Sequence, residues 1–121
     1  YYLTEKMGPW SAPESIFAPK AFAEYLRCFQ NPDTVHASCE DYRAAASIDL
    51  EHDASDLHRK IECPLLVLWG DKGLVHRKYE VLEVWSERAN HVSGTALNCG
   101  HYLPEESPEQ VLDELLPFLR S

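Results

Sequence analysis

The chain has 121 residues, 45% of them apolar, enough for one modest folded domain. Its 11 basic and 20 acidic residues leave a net charge of −9, which argues against nucleic acid, whose phosphates such a surface repels. No apolar run is long enough for a transmembrane helix, and the opening Tyr1-Tyr2-Leu3 lacks the charged start and apolar stretch of a signal peptide. A start without Met leads us to expect a preceding N-terminal part. Of the four cysteines, Cys28, Cys39, Cys63 and Cys99, none forms a C-x-x-C pair, and their density is far below that of a disulfide scaffold. Cys28, Cys39 and Cys63 stand among apolar neighbours and are expected to be reduced, buried thiols of a cytoplasmic protein.

The first half reads as helices. Phe22, Tyr25, Leu26 and Phe29 recur at helical spacing across residues 19–30, with Pro19 at the first helical position. Asn31-Pro32 is expected to break the chain. Asp33 then predicts a capped helix through Ile48, with Val35, Cys39, Tyr42 and Ala46 along one side. Asp53 or Ser55 predicts the cap of a short helix reaching Lys60, and the acidic group Asp49, Glu51 and Asp53 reads as a solvated face or a cap.

The second half alternates strand and helix. Leu65–Trp69 is a continuous apolar run between Pro64 and Gly70, the pattern of a strand covered on both faces of a parallel sheet. Residues 78–90 carry Val81, Leu82 and Trp85 at helical spacing, and Val92–Leu97 is a second strand. Gly100 breaks it, and Ser107-Pro108-Glu109 opens a last helix with Val111, Leu112, Leu115 and Leu116 as its apolar side. Pro117 lacks an N–H and is expected to kink or end that helix. The order β-α-β-α is the unit of a doubly wound α/β sheet. Two parallel strands leave both faces and both edges in need of cover, so a larger sheet upstream is expected.

The strongest chemical signal is the segment Cys99-Gly100-His101-Tyr102-Leu103-Pro104-Glu105-Glu106-Ser107-Pro108-Glu109. It sets a histidine in the loop after a strand and before a helix, where open α/β sheets line their ligand crevice. A histidine there can titrate near neutrality and move protons. Other constellations are weaker. His36, His52, His58, His76 and His91 form no H-x-x-x-H or H-E-x-x-H pattern, and the consecutive Glu51-His52-Asp53 point in different directions on a helix, so no metal site is expected. There is no Gly-rich phosphate loop and no cofactor signature, and Trp69 and Trp85 read as core residues.

The Gly-His segment followed by an apolar residue, Pro-Glu-x-Pro-Glu and an amphipathic helix resembles the catalytic-histidine segment of α/β-hydrolases, and Cys63–Gly70 resembles the strand before their usual acid loop. The runs Cys39-Glu40-Asp41-Tyr42-Arg43-Ala44-Ala45-Ala46 and Asp49-Leu50-Glu51-His52-Asp53 resemble the cap region of fluoroacetate (haloacetate) dehalogenases within that superfamily. The resemblance implies the C-terminal part of an α/β-hydrolase fold. Residues 1–60 would form a helical cap portion and its return to the core, and residues 61–121 the last parallel strands and helices.

It further implies an Asp nucleophile that displaces halide to form an ester, with His101 as the base that activates water against that ester. Tyr42 matches the cap tyrosine whose hydroxyl holds the leaving halide, and Trp10 a cap tryptophan near the active site. The substrate would be a short haloacid, no cofactor is required, and the family expectation is a homodimer. Gly73 stands where many superfamily members place the triad acid; in fluoroacetate dehalogenases the acid follows the preceding strand, and Asp71 is a substitute with a turn role. No G-x-[SD]-x-G elbow occurs, and the family's carboxylate-binding arginines have no counterpart, so the polypeptide by itself is expected to be inactive. The alternatives are an epoxide hydrolase, a serine ester hydrolase, or a non-catalytic binding protein on the same fold.

Overall fold

Helix α1 (Pro19–Phe29) starts where expected, with Pro19 in its first turn. The structure, a computed structural model, describes Leu3, Trp10–Ala12 and Phe17–Arg120. These residues fall into two compact units, residues 18–59 in one, and Leu3, Trp10–Ala12, Phe17 and residues 60–120 in the other.

In the helical unit, α1 is followed by α2 (Pro32–Ala45) and α3 (Ile48–Asp56). Asn31-Pro32 breaks the chain as expected, between the end of α1 at Phe29 and the start of α2 at Pro32. Asn31 is extended, as a residue before proline must be, and its Oδ1 accepts the N–H of Asp33 at 2.9 Å. The cap is therefore Asn31, and Asp33 is the acidic residue of the first turn. The helix stops at Ala45, three residues short of Ile48, because a new helix begins after Ser47. Asp53 and Ser55 lie inside α3 and not at its start; Ser55 Oγ donates to its own helix at the carbonyl of His52, 2.7 Å away. Asp49, Glu51 and Asp53 are exposed.

The sheet unit holds β1 (Leu65–Gly70), α4 (Leu74–Lys78), α5 (Val81–Ser86), β2 (Val92–Leu97), α6 (Leu103–Glu106) and α7 (Pro108–Arg120). Among the described residues β1 and β2 form a two-stranded parallel sheet, in register from Leu65 opposite Val92 to Gly70 opposite Leu97. An isolated parallel bridge between Ile61 and Ala89 extends the pairing toward the start of the strands. Helices α4 and α7 pack on β1 and α5 on β2. Val67, Val81, Ala89, Leu97 and Cys99 are buried in this unit. Leu66 and Leu68, expected to be covered on both faces, are only half-buried, since each strand has one hydrogen-bonded neighbour among the described residues.

Three further expectations change. The predicted helix over residues 78–90 is two helices, because Tyr79 is extended and ends α4; the break lets Val81 enter the core from α5. Pro117 does not end α7, which continues to Arg120. The carbonyl four residues earlier belongs to Asp113, which is exposed, so water can satisfy what the proline cannot. Of the apolar side of α7, Val111 and Leu115 are half-buried, while Leu112 and Leu116 remain exposed.

The cysteines are free, yet Cys39 and Cys63 are exposed and Cys28 is half-buried; Cys99 is the buried one, 2% exposed. Apolar sequence neighbours do not guarantee burial when they sit on other faces of a helix, as around Cys39, or at the open start of a strand, as for Cys63. Burial, reinforced by the negative charge of Glu106, pushes the Cys99 thiol above its ordinary range. Alkylation at pH 8 is accordingly expected to label Cys39 and Cys63 rapidly and Cys99 only after unfolding, read by mass spectrometry of peptides. Labelling of Cys99 at the same rate as Cys39 would contradict this packing.

Candidate active site

In a parallel pair the loops after both strands emerge on the same side. Here these are Asp71–Gly73 after β1 and Asn98–Tyr102 after β2, and backbone bonds stitch them together. Asp71 N donates to Leu97 O at 2.9 Å and Lys72 N to Cys99 O at 3.1 Å. The approach of the two loops requires glycine at Gly70, and the segment around Ala12 requires it at Gly100. A Cβ on Gly70 would lie 1.8 Å from the carbonyl oxygen of Gly100, and one on Gly100 would lie 2.3 Å from the backbone nitrogen of Ala12. His101 follows at this crossing.

A third segment, Trp10–Ala12, runs along the same loop. Trp10 O accepts the N–H of His101 at 3.0 Å. Glu106, one turn further along, holds the arrangement with its carboxylate. Its Oε2 accepts from Gly100 N at 2.7 Å and from Ala12 N at 2.9 Å, and its Oε1 accepts from Tyr102 N at 2.9 Å. One partly buried carboxylate therefore satisfies three backbone N–H groups, two of them flanking His101. The bond to Tyr102 N, which belongs to the N-cap residue of α6, works as the glutamate of a capping box does. That pattern, an acid a few residues after a candidate helix start, was the available signal for Glu106, to which no role was assigned from the sequence.

The His101 side chain is exposed and set among aromatic rings. Its centroid lies 5.2 Å from that of Trp10 at 80° and 5.0 Å from that of Tyr102 at 86°, and Tyr102 in turn meets Phe17 edge-on at 5.3 Å. Edge-to-face contacts of this kind restrict ring rotation without withdrawing both imidazole nitrogens from reactants. Among the described residues no carboxylate hydrogen-bonds the imidazole. Both Glu106 oxygens face backbone amides, and Asp71 is exposed and makes no bond to it. A pocket of about 170 Å³ opens beside His101, lined also by Trp10, Leu74, Val75, Lys72 and Arg77.

Of the residues singled out from the sequence, His101 and Trp10 come together here. Tyr42 is an exposed residue of α2, in the helical unit. Trp69 is half-buried, with its indole N–H donating to His76 Nδ1 at 3.1 Å, and Trp85 is 40% exposed, more open than a core residue. Asp49, Asp53 and Asp56 line an open hollow with His52, but no three His, Cys, Asp or Glu residues among those described are placed to hold a metal ion.

Solved structures share this fold closely. A proposed α/β-hydrolase from Nostoc sp PCC 7120 superposes with a TM-score of 0.93 at 56% identity, over 98% of this chain and 41% of that one. This is the C-terminal part of an α/β-hydrolase fold. A proposed acyltransferase from Salmonella enterica matches it with a TM-score of 0.92 at 47% identity, covering 98% of this chain and 40% of that one. A proposed epoxide hydrolase from Pseudomonas aeruginosa, solved with MFA bound, matches at 0.78 and 40% identity, over 87% of this chain and 36% of that one.

Among curated proteins, a fluoroacetate dehalogenase from a Burkholderia species is 37% identical over 85% of this chain and 34% of its own length. A soluble epoxide hydrolase from a Corynebacterium species is 32% identical over 86% of this chain and 35% of its own length. The chain thus spans about a third of the curated relatives it matches. No family model matches it. His101 stands in the loop after the last described strand. No helix among the described residues is long and apolar enough to cross a membrane.

Replacing Glu106 by alanine is expected to cost roughly 2 kcal/mol in denaturant unfolding, since three backbone donors lose a charged acceptor in a partly buried setting. Amide exchange at Gly100 and Tyr102 is expected to accelerate in the same variant, while exchange within α7 does not.

Proposed function

We propose that this chain supplies the histidine base of a hydrolase that cleaves the carbon–halogen bond of short haloacids, with fluoroacetate converted to glycolate and fluoride. The observation that carries the reading is the placement of His101 at the carboxyl end of the parallel strands. There it is held by Glu106 and Trp10 at the mouth of a pocket with two cationic walls. The 37% identity with a fluoroacetate dehalogenase supports the haloacid assignment.

The chemistry runs in two balanced steps. A carboxylate outside this sequence attacks the carbon bearing the halogen; the carbon–halogen bond breaks, halide leaves with the electron pair, and an ester forms. His101 then takes a proton from water, the resulting hydroxide adds to the ester carbonyl, and the ester breaks to free the carboxylate and the hydroxyacid alkoxide, which receives the proton. The net reaction consumes one water per haloacid and releases halide, hydroxyacid and a proton. Tyr42 would donate its hydroxyl to the departing halide, and Trp10 would wall the pocket. Fluoride leaves poorly, so a donor aimed at it matters most in the transition state.

An epoxide hydrolase is the second reading, favoured by the 32% identity with a soluble epoxide hydrolase. The same Asp–His ester chemistry serves both, with Tyr42 donating to an epoxide oxygen instead of a halide.

The test is fluoride release from fluoroacetate by the full-length protein beside its His101→Ala variant. The expected outcome is release by the parent, with a covalent ester accumulating in the variant and turnover lowered by at least about a hundredfold. Tyr42→Phe is expected to slow fluoroacetate more than chloroacetate, because the better leaving group needs the donor less. If the parent releases no halide from either acid but opens an epoxide, the second reading replaces the first.

A further inference from the structure

The pocket beside His101 is walled by a helix with little to hold it. Helix α4 supplies Leu74, Val75 and Arg77 to that pocket, and Val75 also lines an apolar hollow that His101 shares with Trp69, Trp85 and Leu103. The helix has five residues, buries no side chain, lacks a side-chain cap at Gly73 and ends at the extended Tyr79. So short a helix is not stable by its own hydrogen bonds. It packs on β1. One side-chain bond ties the two elements: the indole N–H of Trp69, the last residue of β1 but one, donates to Nδ1 of His76 at 3.1 Å. An indole N–H can only donate, so the bond needs a lone pair on Nδ1. It assigns His76 as a neutral ring with its proton on Nε2.

We propose that His76 is a positioning residue of this pocket and acts as a proton-operated latch: the neutral ring fastens α4 to the end of β1, and a proton on Nδ1 releases it. A protonated imidazole donates from both nitrogens and has no acceptor left for the indole. The tie is therefore present above the titration of the ring and lost as pH falls through it. The surroundings offer no substitute for the lost bond. Leu65–Gly70 of β1 carry no titratable side chain. Arg77 and Lys78 follow His76 on its own helix, Lys72 stands in the loop before it, and His101 lies across the pocket. Val81, Trp85 and Leu103, which share the apolar hollow with Val75 from α5 and α6, do not titrate. The nearest acids in sequence, Asp71 and Glu80, form no salt bridge with His76, and among the described residues no other acid does. Release of α4 loosens the wall formed by Leu74, Val75 and Arg77 and leaves the backbone bonds of His101 in place, so it acts on binding. The inference rests on the hydrolase reading in one respect only, that substrate sits in the pocket beside His101.

The experiment follows the Trp69 indole and the His76 ring by NMR in the full-length protein between about pH 5 and pH 8, beside His76→Gln and His76→Leu. The Trp69 indole N–H, assigned with Trp69→Phe, is expected to shift with the same midpoint as the His76 ring. The backbone N–H of Tyr79, which donates to Val75 O at 3.0 Å, is expected to lose about fivefold in exchange protection below that midpoint. Glutamine keeps an acceptor that does not titrate, so His76→Gln should hold both signals constant with pH, while His76→Leu should show the low-pH state throughout. In turnover of chloroacetate at about pH 8, His76→Leu is expected to raise KM about fivefold with kcat changed less than twofold, and His76→Gln to restore KM. A merely structural role would not give a pH step that glutamine abolishes. If halide is never released while the indole and Tyr79 signals follow the His76 ring, the latch stands and the dehalogenase reading falls. An indole signal that ignores the His76 titration, Tyr79 protection in His76→Leu equal to the parent's, or an unchanged KM in an enzyme that does turn over, overturns the latch.

Discussion

The Glu106 carboxylate is the contact on which the arrangement around His101 depends. Three backbone N–H groups from two separate stretches, Ala12 on one and Gly100 and Tyr102 on the other, converge on its two oxygens. Without an acceptor, those amides would lie in a partly buried place with no regular ladder to join, since the loop after β2 is neither strand nor helix. The glutamate does for this turn what a capping side chain does for a helix end, and it does so with a charge, which strengthens each bond. His101 is thereby placed by its backbone on one side and by ring contacts with Trp10 and Tyr102 on the other, while its imidazole stays open to the pocket.

The glycines are the second condition. Gly70 lets the loops after β1 and β2 lie almost in contact and Gly100 lets the segment around Ala12 lie against the second of them, so that Lys72, His101 and Trp10 reach the same hollow. The parallel register makes this possible at all: with Gly70 opposite Leu97, both strands end at one level and both loops turn out on one side. Sheet geometry, loop contact and pocket chemistry are therefore one chain of cause. An added methyl at Gly70 would force the two loops apart, and one at Gly100 would push Ser11 and Ala12 off the histidine loop.

Much of this was legible before any coordinates. The apolar run Leu65–Trp69, the strand Val92–Leu97 and the helix after Ser107-Pro108 follow from period and capping chemistry, and they appear within a residue or so of their expected bounds. The Gly-His segment pointed to His101 through position, a histidine at the carboxyl end of a strand. Errors gathered where short-range signals compete. Asn31 and Asp33 both suit a cap, and Asn31 takes the role because it stands just before the Pro32 that opens the helix; Asp53 and Ser55 suit caps but are absorbed once Ile48 starts a helix earlier. Cysteine burial failed for a different reason, since Cys39 and Cys63 lie on exposed faces that apolar sequence neighbours do not reveal.

By itself the sequence determined the local elements, the parallel α/β character and the histidine, because periodicity, turn residues and caps act over a few residues and leave their marks in order along the chain. Only the tertiary structure decided that Glu106 serves backbone amides at Gly100 and Ala12, that Trp10 sits against His101, and that Lys72 and Arg77 share its pocket. Those pairings join residues separated by up to 94 positions. They depend on strand register and on the closeness that two glycines permit, and neither is written in the spacing of any one segment.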